Sequence, residues 1–76
     1  MIKIKIILEG YLKNKYLVNT IERHYSKPTK INKILKDVEI SLSDVFLIKT
    51  EDSLIKEDDL IRKSCEVKLF PIIGGG

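Results

Sequence analysis

Cysteine is almost missing from this chain: Cys65 is its only thiol. One thiol excludes an internal disulfide framework and any multi-cysteine metal site. Histidine is as scarce, with His24 alone, so the ligand spacing of structural zinc is missing too. Arginine is confined to Arg23 and Arg62, although Lys plus Arg reaches 14 against 11 acidic residues and the net charge is +3. Specific readers of nucleic acid concentrate arginine, whose planar fork matches phosphate and guanine. Lysines scattered through the chain describe a solvated surface instead, and nucleic acid is not expected as a partner. Tryptophan, alanine and glutamine are absent, a compositional bias that excludes no function. No apolar run approaches the ~20 residues of a membrane span. The opening Ile2-Lys3-Ile4-Lys5-Ile6 alternates too strictly for the apolar stretch of a signal peptide. The expected setting is therefore cytoplasmic, without a membrane partner.

Length is also short, at 76 residues. A domain of this size buries only about 60% of the surface its unfolded chain exposes. That leaves a thin core and no room for a deep catalytic cleft, so the chain is not expected to be an enzyme. With 43% hydrophobic and 33% charged residues it is nonetheless a globular composition rather than a disordered one.

What is present is a pattern of short strands and one amphipathic helix. Ile2, Ile4 and Ile6 recur with period two, predicting a half-buried strand that runs to about Leu8. Gly10 punctuates it. A turn near Asn14-Lys15 then permits a second strand within residues 16–25, on which Ile21, Arg23 and Tyr25 share a face. Thr29 is a candidate helix N-cap. Ile31, Ile34, Leu35 and Val38 follow at i, i+3, i+4 and i+7, the apolar stripe of a helix over about residues 30–38, with Lys30, Lys33 and Lys36 on its outer face. Val45-Phe46-Leu47-Ile48 predicts a central strand and Leu54-Ile55 a short returning one. Asp58-Asp59-Leu60-Ile61 has the form of a single helical turn with acidic residues at its start. Glu66 to Phe70 predicts the last strand, with Val67 and Leu69 facing one side and Pro71 ending or edging it. A helix that short is not stable alone and must lay its stripe on a sheet. The expected fold is α+β: a ubiquitin-like β-grasp over residues 1–73, with four to five strands of mixed sheet on one short helix, followed by a flexible tail at 74–76.

That tail, Gly74-Gly75-Gly76, holds all but one of the four glycines. A glycine run is a thin strip of backbone without side-chain bulk. Its three residues span at most ~10 Å at about 3.3–3.6 Å each, and end in a carboxylate. Such a strip can enter a narrow channel in another protein. Taken alone it is equally the frayed end that termini commonly show.

The residues around it add specificity. The stretch from Leu54-Ile55 to Asp59-Leu60, then Glu66-Val67-Lys68-Leu69-Phe70-Pro71-Ile72-Ile73-Gly74-Gly75-Gly76, resembles the C-terminal half of the ThiS/MoaD sulfur-carrier family, small ubiquitin-like carriers of thiamine and molybdopterin biosynthesis. The closing pattern of that family is acidic, apolar, any, apolar, any, Pro, two variable residues, Gly-Gly. The first strand and Thr29 to Leu35 fit more loosely. The chain departs from the pattern at Lys63-Ser64-Cys65, where relatives carry a Gly-Asp turn, and at Ile72, where molybdopterin-type carriers often have a second proline. The resemblance implies that a ubiquitin-activating-like enzyme spends ATP to adenylate the Gly76 carboxylate. A sulfur donor then displaces the adenylate, and the thiocarboxylate passes to a sulfur-accepting synthase. The carrier itself would bind no cofactor. Gly74 and Gly75 would form the strip that enters the enzyme.

Phe70, Pro71 and Ile72 are the candidate partner interface, because alternation points Phe70 away from Val67 and Leu69. The alternative is that Phe70 packs beneath the loop around residues 11–16. Cys65, in a turn far from the tail, lacks a neighbourhood that would activate a thiol. His24 has no triad partner, and Asp58-Asp59 needs no metal to explain it. Two other functions remain open. One is a ubiquitin-like modifier joined through Gly76 to lysines of other proteins. The other is a small basic binding module with an incidental tail.

Overall fold

The computed structural model describes residues 1–51 and 53–72. Strand β1 (Ile2–Leu8) places Ile4, Ile6 and Leu8 on one face, all 1% exposed or less, with Lys3 and Lys5 on the other. Its antiparallel neighbour β2 (Thr20–Tyr25) sets Ile21 opposite Ile6 and Arg23 opposite Ile4. Arg23 is nonetheless exposed, and its Nη2 donates to the Asp37 carbonyl at 3.4 Å. A guanidinium there also suits the negative end of a helix.

The two strands are joined by a short helix, α1 (Leu12–Tyr16), where the sequence predicts a turn near Asn14-Lys15. Leu12 is fully buried and pins the helix, and Leu17 ends it in the left-handed region at φ 58°. Thr29 and Lys30 form a two-residue strand, β3, that precedes α2 (Ile31–Asp37). Thr29 is therefore not the N-cap: its hydroxyl donates to the Lys27 carbonyl, and Lys30 takes the cap position without a side-chain bond. The first free amides of α2 are instead satisfied from afar, Ile31 N–H by the Asp59 carbonyl at 3.0 Å and Asn32 N–H by the Glu57 carbonyl at 2.8 Å. Helix α2 ends in a Schellman arrangement. Glu39 adopts φ 61°, Glu39 N–H donates to the Lys36 carbonyl, and Ile40 N–H donates to the Leu35 carbonyl. Ile31, Ile34 and Leu35 are buried as predicted, Val38 is half-buried, and Ile40 completes the apolar contact.

After a 3-10 turn at Leu42–Asp44 come β4 (Val45–Lys49), β5 (Leu54–Ile55), β6 (Leu60–Ile61) and β7 (Cys65–Pro71). Strands β2-β1-β7-β4-β5 form one mixed sheet, with β1 and β7 parallel at its middle, and β3 pairs with β6 separately. This is the expected β-grasp with a second short helix added. One further prediction about a single element fails, and another holds only in part. Residues 58–61 are a turn leading into β6, since Asp59 Oδ2 accepts from Lys56 N–H at 2.7 Å and Leu60 and Ile61 pair with β3. Strand β4 does lie inside the sheet, between β7 and β5, but it is less buried than its apolar run predicts. Only Ile48 of β4 is buried, and an irregularity between Val45 and Leu47 leaves Phe46 64% exposed.

Two tyrosine–aspartate–lysine clusters tie the helices down. Tyr25 Oη donates to Asp37 Oδ2 at 2.8 Å, and Lys33 Nζ donates to Asp37 Oδ1 at 2.7 Å. Tyr16 Oη and Lys15 Nζ both donate to Asp44, while Ser41 N–H donates to Tyr16 Oη. The lysine and then the tyrosine hold each aspartate below the ordinary carboxylate value of 3.8. A group whose folded pKa is depressed adds stability above its unfolded value and loses it as pH falls through the folded one. Burial, then the bond to Asp37, pushes the Tyr25 phenol up to about 12, which has the opposite sign: that contribution is lost as pH rises beyond 10.0. The urea midpoint is expected to fall below pH 3.8 and again above pH 10. Asp37→Asn with Asp44→Asn should flatten the acid limb. An acid limb of unchanged slope in the double variant would show that the clusters do not set it.

Candidate functional site

The site is built at the C-terminal end of β7, beside its parallel neighbour β1. Val67 and Leu69 face the core at 1% and 0% exposure, and the alternation continues to Pro71, which is buried. On the opposite, solvent face β7 carries Lys68 and Phe70. Phe70 is half-buried, lies outside the core cluster, and stands opposite Leu47 of β4. Ile7 of β1 and Lys49 of β4 flank Lys68 in the same register. The outer face near the end of β7 is thus an apolar patch of Phe70 and Leu47, with Phe46 exposed beside them on the irregular stretch of β4 and lysines at its edge. Phe46 and Leu47 also line an open groove of about 590 Å³ with Leu42, Leu54 and Ile55.

Of the candidate interface residues, Phe70 is on the outer face and Ile72 is 51% exposed. Pro71 does not share that face. Its ring turns inward, because strand alternation carries it to the side of Val67 and Leu69. There it meets Gly10, and it pairs in register with Val45. Gly74, Gly75 and Gly76, the predicted tail, lie outside the described residues, as does the predicted boundary at residue 73.

Other reactive groups stay apart from this end. Cys65 is half-buried at the start of β7. Burial, and secondarily the Glu51 charge, push its thiol up against a weaker pull from Lys63. A raised thiol is protonated at neutral pH and is a poor nucleophile. His24 is exposed on edge strand β2, opposite Lys3. No group of three His, Cys, Asp or Glu side chains that could hold a metal ion occurs among the described residues. Within the same residues no helix is long and apolar enough to cross a membrane.

The exposed Leu47 and Phe46 escape sequence reasoning. A continuous apolar run reads as buried on both faces, and the irregularity that turns Phe46 outward has no signature in Val45-Phe46-Leu47-Ile48. Gly10 was legible only as punctuation.

No family model and no curated protein matches the chain. Solved structures do. A Pyrococcus furiosus protein assigned as molybdopterin converting factor, subunit 1, matches with a TM-score of 0.74 at 10% identity, covering 96% of this chain and 100% of its own. SAMP1 from Haloferax volcanii matches with a TM-score of 0.77 at 14% identity, covering 97% and 99%. A separate structure of the H. volcanii small archaeal modifier protein 1 gives 0.76 at 11%, covering 96% and 100%. The chain therefore has the ubiquitin-like β-grasp fold of these small proteins.

Proposed function

We propose that this chain is a sulfur carrier whose Gly76 carboxylate is adenylated by a ubiquitin-activating-like enzyme, converted to a thiocarboxylate, and presented to a synthase of molybdopterin or thiamine assembly. The observation that carries this reading is the junction at the end of β7. A central strand with one face fully buried, through Val67, Leu69 and Pro71, ends at Pro71, the next residue is exposed, and the sequence reaches Gly-Gly-Gly at position 74. The fold it shares with a molybdopterin converting factor subunit supports the same reading.

The chemistry asks little of the domain. A carboxylate cannot be displaced directly, because oxide is a very poor leaving group. A Gly76 oxygen attacks the α-phosphorus of ATP and pyrophosphate leaves. Sulfide then attacks the acyl carbon and AMP leaves with the oxygen. A persulfide donor gives an acyl disulfide instead, and a thiol reductant must open its S–S bond, leaving as a disulfide, to free the thiocarboxylate. The partner supplies every acid, base and metal for these steps. The carrier supplies reach and a recognisable face. From the anchored Pro71, five residues extend at most about 17 Å to Gly76. Phe70 and Ile72 give that face its apolar anchors, and Pro71 sets the line along which the tail departs.

A second reading, a modifier joined through Gly76 to lysines of other proteins, uses the same adenylate and is supported by the likeness to the small archaeal modifier protein. Mass analysis of the protein isolated from its own cells separates the two. A free chain with one terminal oxygen replaced by sulfur supports the carrier, and isopeptide-linked conjugates support the modifier. Neither species in cells that express the protein would sink both.

Phe70→Ala should weaken binding to the activating enzyme about tenfold, in the range of an aromatic anchor truncated at an interface. The thermal midpoint should move little, since Phe70 is not part of the buried cluster. Calorimetry of the pair and a melt of the variant decide it. A large loss of stability with unaltered affinity would make Phe70 a packing residue only.

A further inference from the structure

Gly10 is the one glycine among the described residues, and its surroundings explain why no side chain stands there. It follows β1, holds φ +56°, and leads into α1, whose Leu12 is fully buried. The preceding residue is tied to the end of β7, since Glu9 N–H donates to the Leu69 carbonyl at 2.9 Å. A Cβ on Gly10 would lie 2.9 Å from Pro71 Cγ and 3.2 Å from Pro71 Cδ. Real Cβ atoms essentially never come as close as the first of these distances, so Gly10 and the pyrrolidine ring are in direct, tight apposition.

Proline changes what can hold a strand end. It has no N–H to donate to a ladder, so the last residue of β7 cannot be secured by its own amide. Its buried ring has to be secured by packing. Gly10 supplies one wall, and Val45 of β4 stands opposite in register. The next residue, Ile72, is already half in solvent. The Gly10–Pro71 contact is thus the last tight packing of the strand before the chain leaves the sheet.

We propose that Gly10 is a positioning residue for delivery of the C-terminus: its missing side chain seats the Pro71 ring, and that seat fixes where and in which direction the chain leaves the sheet at Ile72. The inference rests on the carrier or modifier reading for its consequence in catalysis. The seat itself can be measured without an activating enzyme. A partner that docks on the outer face of the sheet sees that face unchanged when the seat is lost, so the cost appears in delivery of the carboxylate rather than in binding. Misplacement of about 1 Å can cost 10²-fold in a positioned reaction.

The test is a double-mutant cycle of Gly10→Asn and Pro71→Ala. Asparagine tolerates the left-handed region better than other residues with a side chain, so Gly10→Asn chiefly introduces the collision. Pro71→Ala removes the ring atoms it would strike. With the cognate activating enzyme, Gly10→Asn should lower kcat of adenylation about tenfold or more and leave KM within about threefold. Added to Pro71→Ala, it should change kcat by less than about threefold. An unchanged kcat for Gly10→Asn, or an equal loss in both backgrounds, overturns the proposal. If the intact protein is not adenylated at all, it is the carrier and modifier readings that fail. Nitrogen-15 relaxation of the Phe70 and Ile72 amides then still decides the seat: order at both should fall in Gly10→Asn, and unchanged order overturns it. Should Gly10→Asn not fold, Pro71→Ala alone carries the test, with loosened Phe70 and Ile72 amides expected and unchanged ones overturning the seat.

Discussion

Removing Gly75 and Gly76 is expected to abolish activation while leaving the domain folded. Among the described residues the buried cluster ends within β7, at Val67 and Leu69, and no member follows Pro71. Deleting the last two residues takes nothing from that cluster, so the thermal midpoint should stay within a few degrees. The reach from Pro71 shortens by roughly 7 Å, at about 3.3–3.6 Å per extended residue. Against the ~1 Å tolerance of a positioned reaction, that is a complete loss. Adding a bulky residue after Gly76 should do the same by a different route, because it replaces the reacting carboxylate and puts a side chain where the enzyme accepts bare backbone. ATP–pyrophosphate exchange with the activating enzyme, followed by mass analysis for sulfur at the C-terminus, reads both variants. Adenylation of the shortened chain at the rate of the intact one would return the glycines to an incidental end.

Leu35→Ala should destabilise the domain by about 2–5 kcal/mol, the range for truncating a large aliphatic side chain in a packed core. Leu35 is 1% exposed on the face of α2 that meets the sheet, and it sits one turn before Ile40 in the helix-ending contact. Its loss therefore opens a cavity and loosens the helix end together. At about 0.05–0.15 kcal/mol per residue a domain of this length holds only ~4–11 kcal/mol in all. The urea midpoint should drop by a large fraction of its value, and at the upper end the variant would be partly unfolded without denaturant. A midpoint equal to that of the intact protein would mean that the stripe of Ile31, Ile34 and Leu35 is not what joins helix to sheet.

Much of this architecture is legible in single residues. Period two in Ile2-Lys3-Ile4-Lys5-Ile6 and in Val67-Lys68-Leu69 can be satisfied only by strands with one face buried, and both are the central pair. The i, i+3, i+4 stripe of α2 admits one face. Where sequence reasoning goes wrong, the deciding partner is far away in the chain. Thr29 has the chemistry of an N-cap, yet the amides of α2 take carbonyls of Asp59 and Glu57, and Thr29 is drawn into a strand by Ile61. Asp58 and Asp59 indeed lie near a helix start, but that of α2 and not their own. Val45-Phe46-Leu47-Ile48 carries the propensity of a buried strand but sits one place from the sheet edge, where an irregularity turns Phe46 to solvent. At the candidate site, the outward phase of Phe70 follows from alternation with Val67 and Leu69. The inward turn of Pro71 follows from the same alternation, but its consequence depends on what waits on that side.

By itself, then, the sequence determined the strand and helix types with the strongest periodicity and the packing of one helix on a sheet. Periodicity is a local property, written in spacings of two to four residues. Only the tertiary structure decided which strands lie at the middle, which apolar residues face water, and that Gly10 seats Pro71. Those outcomes depend on residues some sixty positions apart meeting across the parallel pairing of β1 with β7, a contact whose geometry exists only once the whole sheet has formed.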